Sequence, residues 1–389
     1  MEFYEKLTSE GKKKILTLDG GGILGLMTIE ILLKLEFDLR EELENPQLVL
    51  ADYFDLIAGT STGAIVASCL STGMSMDEIK RFYVDSGDDM FDKAYFWNRF
   101  KYKYEDEALA QKIREVLNIS LGYDKDDKPA LLGDENLKTL LMMVMKNHTT
   151  DSPWPVTNNP YAKYNHREHK DCNLNLPLWQ LVRASTAAPT FFPPEIVKFA
   201  EGTVNEREFV FVDGGITSYN NPSFLAFQMV TAKPYGINWK TGVDELLIVS
   251  VGTGNAPQIQ LEMSETKMHL IHSATTVPAS LMNAASAGWD MACRTLGYCR
   301  FGAPIDREFG SMVSSEDDES NWTGEKLFSY VRYDPDVTKK GLEELGLSDI
   351  NPENIQELDA VEYMSQMQEV GKKYADKYVD IDHLGVFNS

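Results

Sequence analysis

The chain has 389 residues, 43% of them hydrophobic, and a formal net charge of −23. That length allows one large domain with an appendage or two domains, and the apolar share is that of an ordinary globular protein. A balance this acidic argues against a nucleic-acid partner and against broad attraction to anionic bilayers. The charge is uneven: from Glu316 onward there are eighteen acids and seven bases, a net of −11. Glu316-Asp317-Asp318-Glu319 reads as a solvated loop. No apolar run reaches the roughly 18 residues that span a membrane, and the charged start Met1-Glu2-Phe3-Tyr4-Glu5 lacks a signal-peptide core. Cys69, Cys172, Cys293 and Cys299 have no framework spacing and read as free thiols of a reducing compartment. A cytoplasmic location is therefore expected, and the glycosylation patterns at Asn118, Asn147 and Asn321 are taken as chance.

Lys14-Ile15-Leu16-Thr17-Leu18 reads as a first strand. Asp19-Gly20-Gly21-Gly22-Ile23-Leu24-Gly25 follows, then a largely apolar helix from Leu26 to about Leu35. Consecutive glycines ahead of a helix expose backbone N–H groups that suit an anion. Two uses compete: a phosphate cradle for a nucleotide and an oxyanion hole for acyl transfer. The G-x-G-x-x-G spacing is present, but no ribose-binding acid closes a second strand. A P-loop is excluded, because no Gly-Lys-Ser/Thr ends the run. The plainer reading is a tight turn needing positive φ.

Phe54-Asp55-Leu56-Ile57-Ala58 reads as a second strand, and Gly59-Thr60-Ser61-Thr62-Gly63 leads from it into the apolar helix Ala64–Leu70. A Ser between two glycines at a strand-to-helix turn is a nucleophile elbow. A Cβ at Gly59 or Gly63 would clash with the neighbouring strand and helix. The new helix directs its N-terminal N–H groups at negative charge forming near Ser61.

Residues 75 to 130 look helical. Phe91 to Tyr104 mixes aromatics with Lys93, Arg99, Lys101 and Lys103, which suits either a lipid interface or a cap over the sheet. Met142, Met143 and Met145 lie in a helical-looking run from Leu137 and read as core filler rather than acyl-chain contacts.

A Ser nucleophile needs a base. His148, His166, His169, His269, His272 and His383 do not end strand-like runs, and all read as structural or surface residues. Asp213 is the better candidate, at the end of the apolar strand Phe209-Val210-Phe211-Val212 and followed by Gly214-Gly215. In open α/β sheets the active site gathers at the C-terminal strand edge, so Asp19, Ser61 and Asp213 are expected to converge there. Leu247–Val251 reads as another core strand. Ala279–Leu296 and Ala360–Tyr378 read as helices, and Tyr330–Tyr333 as a late strand.

In combination these blocks resemble the patatin-like phospholipase family. The order is oxyanion glycines, Ser elbow, then Asp-Gly-Gly. Ser152-Pro153-Trp154-Pro155, Asn158-Asn159-Pro160, the run Arg183 to Pro194, Asn220-Asn221-Pro222 and Leu247 to Gly254 add to the likeness. It covers roughly residues 12 to 255. The resemblance implies a three-layer α/β sandwich, with a mostly parallel central sheet, helices on both faces and a helical C-terminal extension. The expected division is a catalytic core at 12–255 and a mainly helical part at 256–389 packed on it.

The resemblance also implies a Ser-Asp dyad, Ser61 with Asp213, and an oxyanion hole at Gly20, Gly21 and Gly22. The implied substrate is a phospholipid, a lysophospholipid or another acyl ester, reached by transient contact with a membrane surface. No metal or cofactor is implied. The family usually has Arg or Lys where this chain has Leu24, which carries no charge and donates no hydrogen bond. Two further readings stay open: an acyltransferase or esterase of the same chemistry, and a weakly catalytic lipid-binding, signal-responsive module.

Overall fold

The computed structural model describes residues 2–87, 102–189, 192–254, 270–306, 308–314 and 324–388, with the backbone alone for 2, 102–109 and 270–279. The side chains of Phe91–Tyr104, Glu316–Glu319, His269 and His272 lie outside the described residues.

The described strands are β1 (Lys13–Leu18), β2 (Leu56–Thr60), β3 (Leu140–Asn147), β4 (Ser152–Thr157), β5 (Glu195–Phe199), β6 (Arg207–Asp213), β7 (Leu246–Val251), β8 (Tyr298–Phe301) and β9 (Ser329–Tyr333). They join one sheet in the order β5-β6-β3-β2-β1-β7-β9-β8, with β4 also paired to β3. The pairings β1–β2, β1–β7, β2–β3, β7–β9 and β8–β9 are parallel. Those of β3 with β4, β3 with β6 and β5 with β6 are antiparallel.

Side chains of successive strand residues point to opposite faces, and here both faces are apolar. Leu16, Leu18, Ile57, Val249 and Val331 join one core cluster, with residues of the helices Gly25–Glu42, Thr62–Ser71, Met76–Asp85, Leu178–Thr186 and Met364–Tyr378. Ile15, Leu56, Ala58, Ile248 and Tyr330 join the other, with Phe3, the helix Ser223–Thr231 and Cys293 of the helix Leu270–Leu296. A sheet covered on both faces needs continuous apolar strands rather than alternating ones, and this gives the three layers.

That requirement corrects the reading of the methionine run. Leu140–Asn147 is the strand β3, not a helix. Met142 faces one core cluster, while Met143 and Met145 face the other. All three are buried core residues. Leu and Met, which are not branched at Cβ, favour helices intrinsically, and a strand buried on both faces shows no alternation to betray it. Within 75–130 the described helices are Met76–Asp85 and Tyr102–Ser120, and residues 121–130 are turns and irregular chain.

The sheet continues past residue 255. β9 contains Tyr330–Tyr333 and pairs with β7, and β8 pairs with β9. The helix Leu270–Leu296 contains the expected Ala279–Leu296, and the last long helix begins at Met364.

Candidate active site

β1 ends at Leu18 and turns into the glycine loop, while β2 ends at Thr60 and turns into the elbow. Ser61 has φ 53° and ψ −124°, a left-handed-side conformation that costs about 1–3 kcal/mol for a non-glycine residue. Gly59 and Gly63 make the turn sterically feasible. A Cβ on Gly63 would lie 2.3 Å from the Leu18 carbonyl oxygen, and one on Gly59 would lie 2.1 Å from the Gly63 carbonyl oxygen. No side chain fits at either distance, as the sequence pattern requires.

Asp213 reaches Ser61 by a different route from the one expected. β6 does not run parallel to β2. At Met145, β3 pairs with Trp154 of β4 on one edge and with Asp213 of β6 on the other. Thr60 of β2 pairs with the preceding residue, Val144, where β4 occupies the opposite edge. β2 and β6 therefore lie along the same edge of β3, head to head. Each ends where the other ends, so the residue after β2 meets the last residue of β6.

The Ser61 Oγ donates to Asp213 Oδ2 at 2.6 Å. Asp213 Oδ1 accepts the Gly215 N–H at 2.6 Å, and the Asp213 N–H donates to the Ala187 carbonyl at 2.9 Å. Both side chains are buried, Ser61 at 7% and Asp213 at 5% exposure. Burial pushes the Asp213 carboxyl up to about 6, against the downward pull of the Ser61 and Gly215 hydrogen bonds.

Two residues to which the sequence assigns no role complete the frame. Ser185 accepts the Ser61 N–H at 3.0 Å and donates to the Val144 carbonyl at 2.6 Å. It sits inside the Arg183–Pro194 block, so only its role was hidden. The Tyr83 hydroxyl lies 2.5 Å from Thr62 Oγ1 and donates to the Gly22 carbonyl at 2.7 Å. It ties the elbow to the glycine loop, and a lone Tyr in an amphipathic helix gives no sign of this.

Gly20 stands beside the nucleophile: a Cβ built on it would lie 3.1 Å from Ser61 Cβ. Its N–H donates to the Asn220 carbonyl at 3.2 Å, and its carbonyl accepts from Asn220 Nδ2 and Thr253 Oγ1, each at 3.2 Å. Leu24 is buried in the core at 5% exposure. A cavity of about 650 Å³ opens along this loop, walled by Gly20, Gly21, Leu24, Asn220 and residues of the region beyond 255.

The described histidines stand apart from this frame. His148, His166 and His169 are exposed. His383 pairs with the Tyr333 hydroxyl at 2.9 Å and stacks on Phe301. All four cysteines are free and buried. Among the described residues no group of His, Cys, Asp and Glu could hold a metal ion, and no helix is long and apolar enough to cross a membrane.

The chain is similar to "Patatin-like protein 1" of Arabidopsis thaliana, 32% identical over 258 residues, which cover 62% of this chain and 58% of that protein. It is similar to "Patatin-T5" of Solanum tuberosum, 28% identical over 262 residues, covering 63% and 61%. The match thus spans about three-fifths of these relatives' length. VipD from Legionella pneumophila aligns in three dimensions over 95% of this chain and 68% of its own, at 14% identity and a TM-score of 0.36. The model of the patatin-like phospholipases matches residues 16–227, from the first strand through the glycine loop, the elbow and Asp213, and on that match the chain belongs to the patatin-like phospholipase family.

Proposed function

We propose that this chain hydrolyses fatty-acyl esters of phospholipids or lysophospholipids through Ser61 and Asp213. The observation that carries the reading is the 2.6 Å hydrogen bond from the Ser61 hydroxyl, on a strained turn, to a buried carboxylate. A carboxylate at its ordinary pKa is a weak base for a Ser hydroxyl. Burial that raises Asp213 to about 6 brings it nearer the working range of a general base.

In this mechanism Asp213 Oδ2 takes the proton as Ser61 Oγ bonds to the ester carbonyl carbon. The carbonyl π electrons move to oxygen. The oxyanion is held by N–H groups of the glycine loop and of the first turn of the elbow helix. Because the Gly20 N–H is engaged with Asn220, Gly21 and Gly22 carry the larger share. The intermediate collapses, the C–O bond to the alcohol breaks, and Asp213 returns its proton to that oxygen. Water, deprotonated by Asp213, then attacks the acyl carbonyl carbon; the bond to Ser61 Oγ breaks, Asp213 returns the proton to Oγ, and the fatty acid leaves.

The test is fatty-acid release from phospholipid vesicles by the purified chain, beside Ser61→Ala and Asp213→Asn. Release that both substitutions abolish supports the proposal. Release that survives both overturns it. Added acceptor alcohols that divert the acyl group into new esters would favour an acyltransferase.

A further inference from the structure

The glycine loop carries a charge that its proposed role does not want. Asp19 directly precedes Gly20 and is buried at 3% exposure. An oxyanion forming beside this loop would be repelled by an uncompensated carboxylate. No residue from Gly20 to Gly25 bears a cation.

The compensation comes from β9. Arg332, 3% exposed, donates from Nη1 to Asp19 Oδ1 at 3.0 Å and from Nη2 to Asp19 Oδ2 at 2.7 Å. This two-point fork fixes the orientation of the carboxylate as well as its charge. The guanidinium is itself held from two sides. Nη1 donates to Ser250 Oγ of β7 at 2.8 Å, and Nη2 donates to Asp334 Oδ2 at 2.8 Å. Asp334 is anchored in turn, because Oδ1 accepts the Gly254 N–H at 3.0 Å and its own N–H donates to the Tyr374 hydroxyl at 3.0 Å. Burial raises Asp19 to about 7 against the pull of Arg332. Burial alone would lower Arg332, but Asp19 and Asp334 outweigh it, so the guanidinium stays charged.

We propose that Arg332 is a positioning residue for acyl transfer: it locks Asp19, and through it the glycine loop, in register with Ser61, and offsets the carboxylate charge that opposes the oxyanion. Arg332 lies outside residues 16–227, the stretch that the family model matches. The proposal rests on the reading of Ser61 as the acyl nucleophile.

The test compares the parent with Arg332→Lys, Arg332→Met and the pair Asp19→Asn/Arg332→Met. Three quantities are read: the rate of Ser61 labelling by a fluorophosphonate, kcat and KM on a soluble short-chain ester, and the melting temperature. Lysine keeps the charge but not the fork. Arg332→Lys should therefore melt near the parent and lose about tenfold or more in kcat and in labelling rate, with KM within about twofold. Arg332→Met, where it folds, should be slower still. The double variant removes both charges and should recover part of that loss in kcat and in labelling rate.

Parental labelling and kcat in Arg332→Lys and in the double variant overturn the proposal. So does a rise in KM alone. Loss of folding in Arg332→Lys assigns the residue to the fold and overturns it too. A parent that the fluorophosphonate does not label at Ser61 overturns the underlying reading of the nucleophile instead.

Discussion

Ser61 and Asp213 are 152 positions apart in the chain and 2.6 Å apart in space. In the proposed mechanism proton transfer and nucleophilic attack are one event, so the two residues would act as a unit. Ser61→Ala is predicted to fold and to lose at least about 10³-fold in ester turnover; loss of the nucleophile in subtilisin costs roughly 10⁶-fold. Asp213→Asn is predicted to be nearly as damaging, and the double variant no worse than either single one. Additive losses would separate the pair. The raised carboxyl of Asp213 also sets a pH limb: the base must be ionised, so kcat/KM should rise as pH increases through about 6. The same shift has a thermodynamic side. An acid whose folded pKa lies above its unfolded one favours the fold when protonated, and it withdraws that stability as pH rises from about 4 through about 6. Asp213→Asn should therefore melt higher than the parent at pH 8, by the equivalent of about 1–3 kcal/mol, and level with it at pH 4. Melting curves at both pH values check this; a lower melting temperature at pH 8 would count against an ionised, buried Asp213.

At the scale of elements, the junctions between strands and helices carry the site. The elbow helix starts within van der Waals contact of β1, so Gly63→Ala drives a methyl group into the Leu18 and Asp19 carbonyl oxygens. The backbone there must shift, with a predicted cost of about 1–3 kcal/mol and a loss of activity larger than the loss of stability explains. Thermal melting beside turnover decides, and unchanged values for both would show the junction to be slack. The sequence discloses these junctions because glycines punctuate them: the loop after β1, the elbow after β2 and the turn after β6 were all legible. β3 was not, since a strand buried on both faces has no periodicity to read. The antiparallel course of β6 was invisible for a different reason. The residues that end a strand do not record which way its neighbour runs, and Asp213 meets Ser61 from an antiparallel strand. Ser185, Tyr83 and Arg332 join the site through tertiary hydrogen bonds, which for Ser185 and Tyr83 leave no local pattern. Arg332 did leave one sign, a cation in the middle of an apolar strand, and such a group requires a buried partner.

For the whole molecule the governing quantity is charge. A body of net −23 is repelled by an anionic bilayer, and salt shortens that repulsion from about 30 Å at 0.01 M to about 8 Å at 0.15 M. Turnover on anionic vesicles is therefore predicted to rise with salt over that interval, while turnover on zwitterionic vesicles should change little. Co-sedimentation with the two vesicle types, run beside the assay, tests it. A fall with salt on anionic vesicles would instead reveal a basic docking patch, for which Lys93, Arg99, Lys101 and Lys103 are the nearest sequence candidates.

The head-to-head meeting of β2 and β6 has a consequence for the life of the chain during its synthesis. Ser61 leaves the ribosome 152 residues ahead of Asp213, and Asp19 leaves 313 residues ahead of Arg332. Contacts so distant in sequence form late, after the local ones. A half-made chain exposes a serine without a proton acceptor and a glycine loop beside an unbalanced carboxylate. On the proposed mechanism, the order of the parts along the polypeptide would hold back acyl transfer until the sheet has closed.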